Sequence, residues 1–218
     1  NFLNIKNSKI IKKDFLKLLK NQPLLFQTLK PTYKYSYSKK IVKKYKKLSN
    51  LRIIGMGGSI LGSEAIYDFL KPKIKKKITF VNNLNSNADY FNNKKINLNL
   101  IISKSGNTLE TIANANTLIS KREKNIIITE AKNNYLTNLA TKLKSEIFEH
   151  KNYVGGRYSV LSEVGMLPAE LMNLDERKFK QFNNLVKNKS FVNNLVSNVS
   201  TTLNLIKSGK QTSIILNY

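Results

Sequence analysis

The sequence predicts an α/β fold, a parallel sheet covered on both faces by helices in a three-layer αβα sandwich. Three observations predict it. Short apolar runs alternate with longer stretches of helical period through residues 51–149. No hairpin turn signal joins consecutive runs, so the strands pair in parallel through helical crossovers. Glycine- and hydroxyl-rich loops follow the first and third runs, where a strand feeds a helix. With 218 residues, 41% of them hydrophobic, the chain can fill one sizeable core and part of another.

The elements follow in order. Residues 8–20 place Ile10, Ile11, Phe15, Leu18 and Leu19 at helical spacing, and Pro23 stops the pattern. Pro31 closes this arm, and a second helix is expected over 39–48. Residues 51–55 (LRIIG) form the first strand and 61–70 a helix that Pro72 ends. Residues 77–81 (KITFV) are the second strand, followed by a short polar helix near 88–91. Residues 98–103 (LNLIIS) are the third strand and 108–120 a strong helix. Residues 125–129 (NIIIT) are the fourth strand, 134–144 a helix, and 147–149 a weak fifth strand. From 161 to about 206 the pattern is mostly helical, and 213–218 (SIILNY) reads as a new strand. Right-handed crossovers make a doubly wound sheet the default arrangement.

Composition narrows the function. There is no cysteine, which excludes disulfides and thiolate chemistry and fits a reducing cytoplasm. With a single histidine, His150, a zinc or iron site is not expected. No apolar run approaches the roughly 18 residues that span a bilayer, so no membrane partner is expected. The formal charge is +25, from 38 Lys+Arg against 13 Asp+Glu. Such an excess can attract nucleic acid. The lysines are nevertheless spread along the chain, without interleaved aromatics, and lysine, asparagine and isoleucine share A+T-rich codons. The charge is therefore read as codon bias, with no nucleic-acid partner.

Chemistry concentrates in three segments. Gly55-Met56-Gly57-Gly58-Ser59 follows the first strand, and Ser103-Lys104-Ser105-Gly106-Asn107-Thr108 follows the third. Each opens a helix, whose free N–H groups and positive dipole end suit an anion. Glycine lets the backbone approach closely, and three hydroxyls with a lysine supply donors for phosphate oxygens. A lone Gly-Ser turn would be only a helix cap. Lys104, however, is electrostatically misplaced at a helix start unless an anion is present. The third segment is Val154-Gly155-Gly156-Arg157-Tyr158-Ser159. Its arginine precedes a helix and suits an oxyanion, because its donors are planar and its charge permanent. Rival motifs fail. A dinucleotide fingerprint needs glycine where Ile60 stands, a nucleophile elbow needs it where Leu61 stands, and no P-loop string occurs. His150 reads as a polar edge residue at the end of a weak strand. Glu110 reads as a helix-dipole glutamate, and Glu163 stands where it could pair with Arg157.

Together, GMGGS, SKSGNTLET and VGGRYS resemble, in order and spacing, the signatures of the phosphoglucose isomerase family over about residues 50–172. Glu163 departs from the pattern, since many members carry a small residue there. The resemblance implies a sugar isomerase (SIS) domain, a flavodoxin-like sandwich with a five-stranded parallel sheet. It implies a helical arm over 1–38, the SIS domain over 39–172, and a helical connector with the first strand of a truncated second SIS domain over 173–218. By residue match, Ser103, Lys104, Ser105, Gly106, Asn107 and Thr108 would hold a substrate phosphate. Gly58, Ser59 and Gly156 would line the sugar site, and Arg157 would stabilise an enediolate-like intermediate. The implied reaction interconverts glucose 6-phosphate and fructose 6-phosphate without metal or organic cofactor, in a cytoplasmic homodimer. The family's catalytic glutamate, ring-opening histidine and late lysine have no motif before Tyr218, so this chain reads as an incomplete enzyme. The alternative is a non-catalytic SIS-type regulator that binds a sugar phosphate.

Overall fold

A computed structural model of the chain describes residues 8–21, 23–84, 98–120, 123–210 and 212. The chain forms two compact units, residues 31–180 and residues 1–30 with 181–218. The larger unit holds a sheet of five parallel strands in the order β2-β1-β3-β4-β5. The strands are β1 (Asn50–Gly55), β2 (Lys77–Val81), β3 (Leu98–Ile102), β4 (Lys124–Thr129) and β5 (Glu146–Glu149). Its helices are α2 (Lys39–Tyr45), α3 (Leu61–Leu70), α4 (Leu109–Leu118), α5 (Tyr135–Leu143) and α6 (Glu163–Leu171). The other unit contains α1 (Ser8–Lys20), α7 (Phe182–Lys187) and α8 (Lys189–Lys207). The expected helix near 88–91 and strand over 213–218 lie outside the described residues.

Three layers follow from strand alternation, since successive side chains leave opposite faces. Ile53, Leu100, Ile126 and Ile128 pack on one face with Val42, Leu167 and Leu171 from α2 and α6. Ile54, Ile101 and Ile127 pack on the other with Ala115, Leu136 and Ala140 from α4 and α5. The central strands are buried on both sides, which is why β3 and β4 carry consecutive apolar residues rather than alternating ones.

The same central strands carry one polar row. Arg52, Asn99 and Asn125 stand in register across β1, β3 and β4. Asn99 accepts from Arg52 Nη1 at 3.3 Å and donates to Asn125 Oδ1 at 2.9 Å and Glu123 Oε2 at 3.0 Å. Leu118 O takes a second bond from Arg52 Nη1 at 2.7 Å. Burial of a guanidinium demands such acceptors.

Helix α6 is buried along its whole length and contains Pro168. Proline has no N–H for the carbonyl four residues back. That carbonyl, Val164 O, instead accepts from the hydroxyl of Ser63 on α3 at 3.3 Å. Two helices of one layer are thereby linked through the defect of one of them. In the second unit, Ile11, Phe15 and Leu18 of α1 line a common groove with Leu195, Val199 and Leu203 of α8, the amphipathic pairing expected from their spacing. Among the described residues, no helix is long and apolar enough to cross a membrane.

Candidate functional site

Strand order creates the site. The chain leaves β1 toward β2 on one side, and passes from β3 toward β4 and β5 on the other. The loops after β1 and β3 therefore flank a crevice at the carboxyl ends of adjacent strands, the topological switch point where open α/β sheets take ligands.

The loop after β3 is a hydroxyl cluster. Ser103 Oγ lies 2.8 Å from Thr108 Oγ1 and 3.4 Å from Ser105 Oγ, and Ser105 Oγ lies 3.4 Å from Thr108 Oγ1. Backbone N–H groups of Gly106 and Asn107 donate to Ser103 and Ser105, each at 3.2 Å. Thr108 occupies the cap position of α4, yet its side chain makes no capping bond. Its hydroxyl turns to Ser103 instead. The first N–H groups of α4 are left without a side-chain acceptor, the condition in which a helix start suits an anion.

Gly106 allows this loop to fold. Its φ is +69°, and a Cβ there would lie 2.1 Å from the Asn134 side chain. Asn134 caps α5 in a reciprocal box with Thr137 and fills the space over the glycine. Asn107 Oδ1 accepts from Tyr135 N at 2.9 Å, and Gly106 O from Leu136 N at 3.2 Å. Two of the sequence-predicted binding residues thus also tie the loop to the next helix.

Lys104 is held from two sides. Its Nζ donates to Asn152 O at 2.8 Å and lies 3.6 Å from Glu130 Oε1. Glu130 also pairs with Lys132, and that ammonium, with Lys104 behind it, holds the Glu130 carboxyl below its usual pKa. The anion that Lys104 needs at the helix start is thus partly supplied by a carboxylate of the chain itself.

The loop after β1 is built for close backbone approach. Gly57 has φ +52° and starts a tight turn, Gly57–Ser59, into α3, and no side chain caps either element. A Cβ on Gly58 would lie 2.2 Å from Gly156 O and 2.8 Å from Arg157 N. The first and third motifs, nearly a hundred residues apart, therefore touch backbone to backbone. Ser159 Oγ bridges them, donating to Gly58 O at 3.0 Å and Gly156 O at 2.6 Å. Ser59 is nearly buried, and its hydroxyl makes no bond among the described residues. Arg157 is exposed and has no hydrogen-bond or ion-pair partner among the described residues. It lines a cleft of 580 Å³ with Gly58, Gly156, Leu61, Phe69 and Val160.

Two expectations from the sequence are corrected. Glu163 does not pair with Arg157; it is buried and accepts from Tyr33 Oη at 2.9 Å and Lys151 N at 3.3 Å. His150 follows the edge strand β5 but is not exposed there: it is only 1% exposed, and its Nε2 has no partner among the described residues. Desolvation lowers its pKa. Glu110 sits in the first turn of α4, as a helix-dipole glutamate should. Asn134, Ser159, Asn152 and Glu130 hold the loop residues in place; the sequence placed Ser159 in the third motif and Asn134 at a helix start without giving either this role, and did not single out Asn152 or Glu130. Only Asn134 had a local signal, as the cap before a helical run.

The three loops that meet at this crevice are those that carry the family signatures, and the chain matches the phosphoglucose isomerase family over residues 33–208. The chain belongs to that family. Glucose-6-phosphate isomerase of Methanocaldococcus jannaschii is 36% identical over 194 residues, covering 80% of this chain and 48% of the relative. The enzyme of the same name from Acholeplasma laidlawii is 30% identical over 208 residues, covering 82% and 48%. The chain thus spans about half the length of the curated relatives it matches. Among solved structures, a Thermus thermophilus protein described only as hypothetical superposes with a TM-score of 0.72 at 20% identity, over 93% of this chain and 53% of that one. The sandwich is of the sugar isomerase type expected for the family.

Proposed function

We propose that the protein carrying this chain interconverts glucose 6-phosphate and fructose 6-phosphate, as its relatives' names suggest. What supports the reading is an uncapped hydroxyl loop after β3, together with Arg157, unpaired among the described residues, on a loop packed against the turn that follows the adjacent strand β1. Ser103, Lys104, Ser105, Gly106, Asn107 and Thr108 grip the phosphate. Gly58, Ser59 and Gly156 line the sugar. The reaction moves a proton between C2 and C1 through a cis-enediolate. Remote phosphate binding orients those carbons, and Arg157 stabilises the developing charge from a fixed position. The proton needs a carboxylate base of suitable pKa. In the phosphoglucose isomerase family that base is a glutamate of the second domain, and we carry the role over as such rather than give it to Glu163, which is buried, or Glu130, which pairs with lysines. No metal or organic cofactor is required by this chemistry. We place the enzyme in the cytoplasm, in glycolysis and gluconeogenesis, as a homodimer.

The test is a coupled assay on the full-length protein. Wild type should convert fructose 6-phosphate to glucose 6-phosphate. Arg157→Ala should lower kcat by about 10²–10³, the loss expected for one preorganised donor, with KM within about threefold. Its melting temperature should not change, because the side chain has no partner to lose. An unchanged kcat rejects the role of Arg157, and a wild type without isomerase activity rejects the reaction.

A further inference from the structure

Glu163 opens α6 and is fully buried, at 0% exposure. A carboxylate so placed needs donors on its oxygens. It takes them from two distant segments, Tyr33 Oη at 2.9 Å and the backbone N–H of Lys151 at 3.3 Å. Burial first, and then Glu163 itself, raise the Tyr33 pKa, so the phenol remains the donor.

Lys151 is held twice more. Its Nζ donates to Lys34 O at 2.8 Å and sits 4.5 Å from the centre of the Tyr33 ring. The next carbonyl, Asn152 O, accepts from Lys104 Nζ at 2.8 Å. Glu163 is therefore connected to Lys104 by one hydrogen bond, two residues of backbone and a second hydrogen bond. Its burial keeps it from any reacting atom, so whatever it does for the site it does through position.

We propose that Glu163 is a positioning residue for the phosphate grip. It fixes the Lys151 backbone so that the Asn152 carbonyl holds the Lys104 ammonium beside the hydroxyl loop. This rests on the reading that the loop grips a sugar phosphate. Without Glu163 the Lys151 N–H loses its acceptor, so the Asn152 carbonyl is held less firmly against Lys104, whose other contact is the longer one to Glu130, 3.6 Å away.

The probe is sorbitol 6-phosphate, which lacks the carbonyl and cannot be isomerised, titrated calorimetrically into the full-length protein. Lys104→Ala should weaken binding about tenfold, the order of a charge-assisted hydrogen bond. Glu163→Asp keeps the charge but falls one methylene short of both donors, and should weaken binding about fivefold. Glu163→Gln should bind within about twofold, since its amide oxygen can accept from Lys151 and its NH₂ can face Tyr33. In the Lys104→Ala background, Glu163→Asp should add less than about twofold, because coupled residues are not additive. A merely structural role would give the same loss in both backgrounds and would overturn the proposal. So would wild-type binding by Glu163→Asp. If wild type and Lys104→Ala bind alike, Lys104 has no part in the grip and this proposal fails; if wild type does not bind the probe, the sugar-phosphate reading itself fails. Should the aspartate variant not fold, Tyr33→Phe supplies the same comparison, with an expected loss of about twofold that vanishes without Lys104.

Discussion

Gly58→Ala tests the contact that joins the first and third motifs. A methyl group at Gly58 would sit 2.2 Å from Gly156 O and 2.3 Å from Gly156 C, whereas ordinary contact starts at 3.4 Å. The two segments must therefore part by 1.2 Å, the difference between those distances. Both atoms met are backbone, so no side-chain rotation relieves the clash. Overpacking of this kind costs about 1–3 kcal/mol, or a fall in melting temperature of about 3–9 °C for a domain of this size. The displaced segment carries Arg157, and a shift near 1 Å in a positioned group costs about 10² in rate. Steady-state kinetics on the full-length protein should show kcat lower by about that factor. Gly156→Ala is the control. Its Cβ would meet no atom within 4 Å, so its stability cost should stay under about 1 kcal/mol. A Gly58→Ala protein with wild-type kcat and an unchanged melting temperature would refute the reasoning.

Two other predictions concern stability. Asn99→Leu removes the acceptor of Arg52 and the donor to Glu123 and Asn125, and should cost about 2–3 kcal/mol in denaturant unfolding. Because this polar row lies toward the amino ends of the strands, sugar-phosphate affinity should not change, and a loss of affinity would contradict that placement. Lys180 is buried against the rings of Tyr33 and Tyr35, and desolvation lowers its pKa from 10.5 to about 8. Between pH 8 and 10.5 the folded state releases this proton while the unfolded state keeps it. The unfolded state then binds more protons, so stability relative to Lys180→Met should rise with pH across that window and level off above it. Comparison with the variant cancels the opposing contribution of the tyrosines, and a flat difference would show that Lys180 is not desolvated.

The strands were legible because both faces of the sheet are covered, so β3 and β4 carry consecutive apolar residues at Leu100–Ile102 and Ile126–Ile128 rather than alternating ones. Helix ends were legible where caps are local, as at Asn134 before α5. The weak fifth strand was readable only in part, since at the sheet edge its burial is incomplete. The hydroxyl loop was legible by type, because three hydroxyls fall within six residues between a strand and a helix. Its supports were not. Asn152 acts through a backbone carbonyl, which every residue possesses, and Glu130 matters only because β4 lies beside β3. One partner of Glu163 is Tyr33, which lies 130 residues away in the chain.

By itself, then, the sequence determined the alternation of strands and helices and the three loops that carry the chemistry. These depend on periodicity and on short-range backbone preferences. Only the tertiary structure decided that Gly58 and Gly156 meet without room for a side chain, that Arg157 remains unpaired, and that Lys104 is held by Asn152 and Glu130. Those are contacts between segments far apart in the chain, and distance in space is not a property that a local pattern of residues can encode.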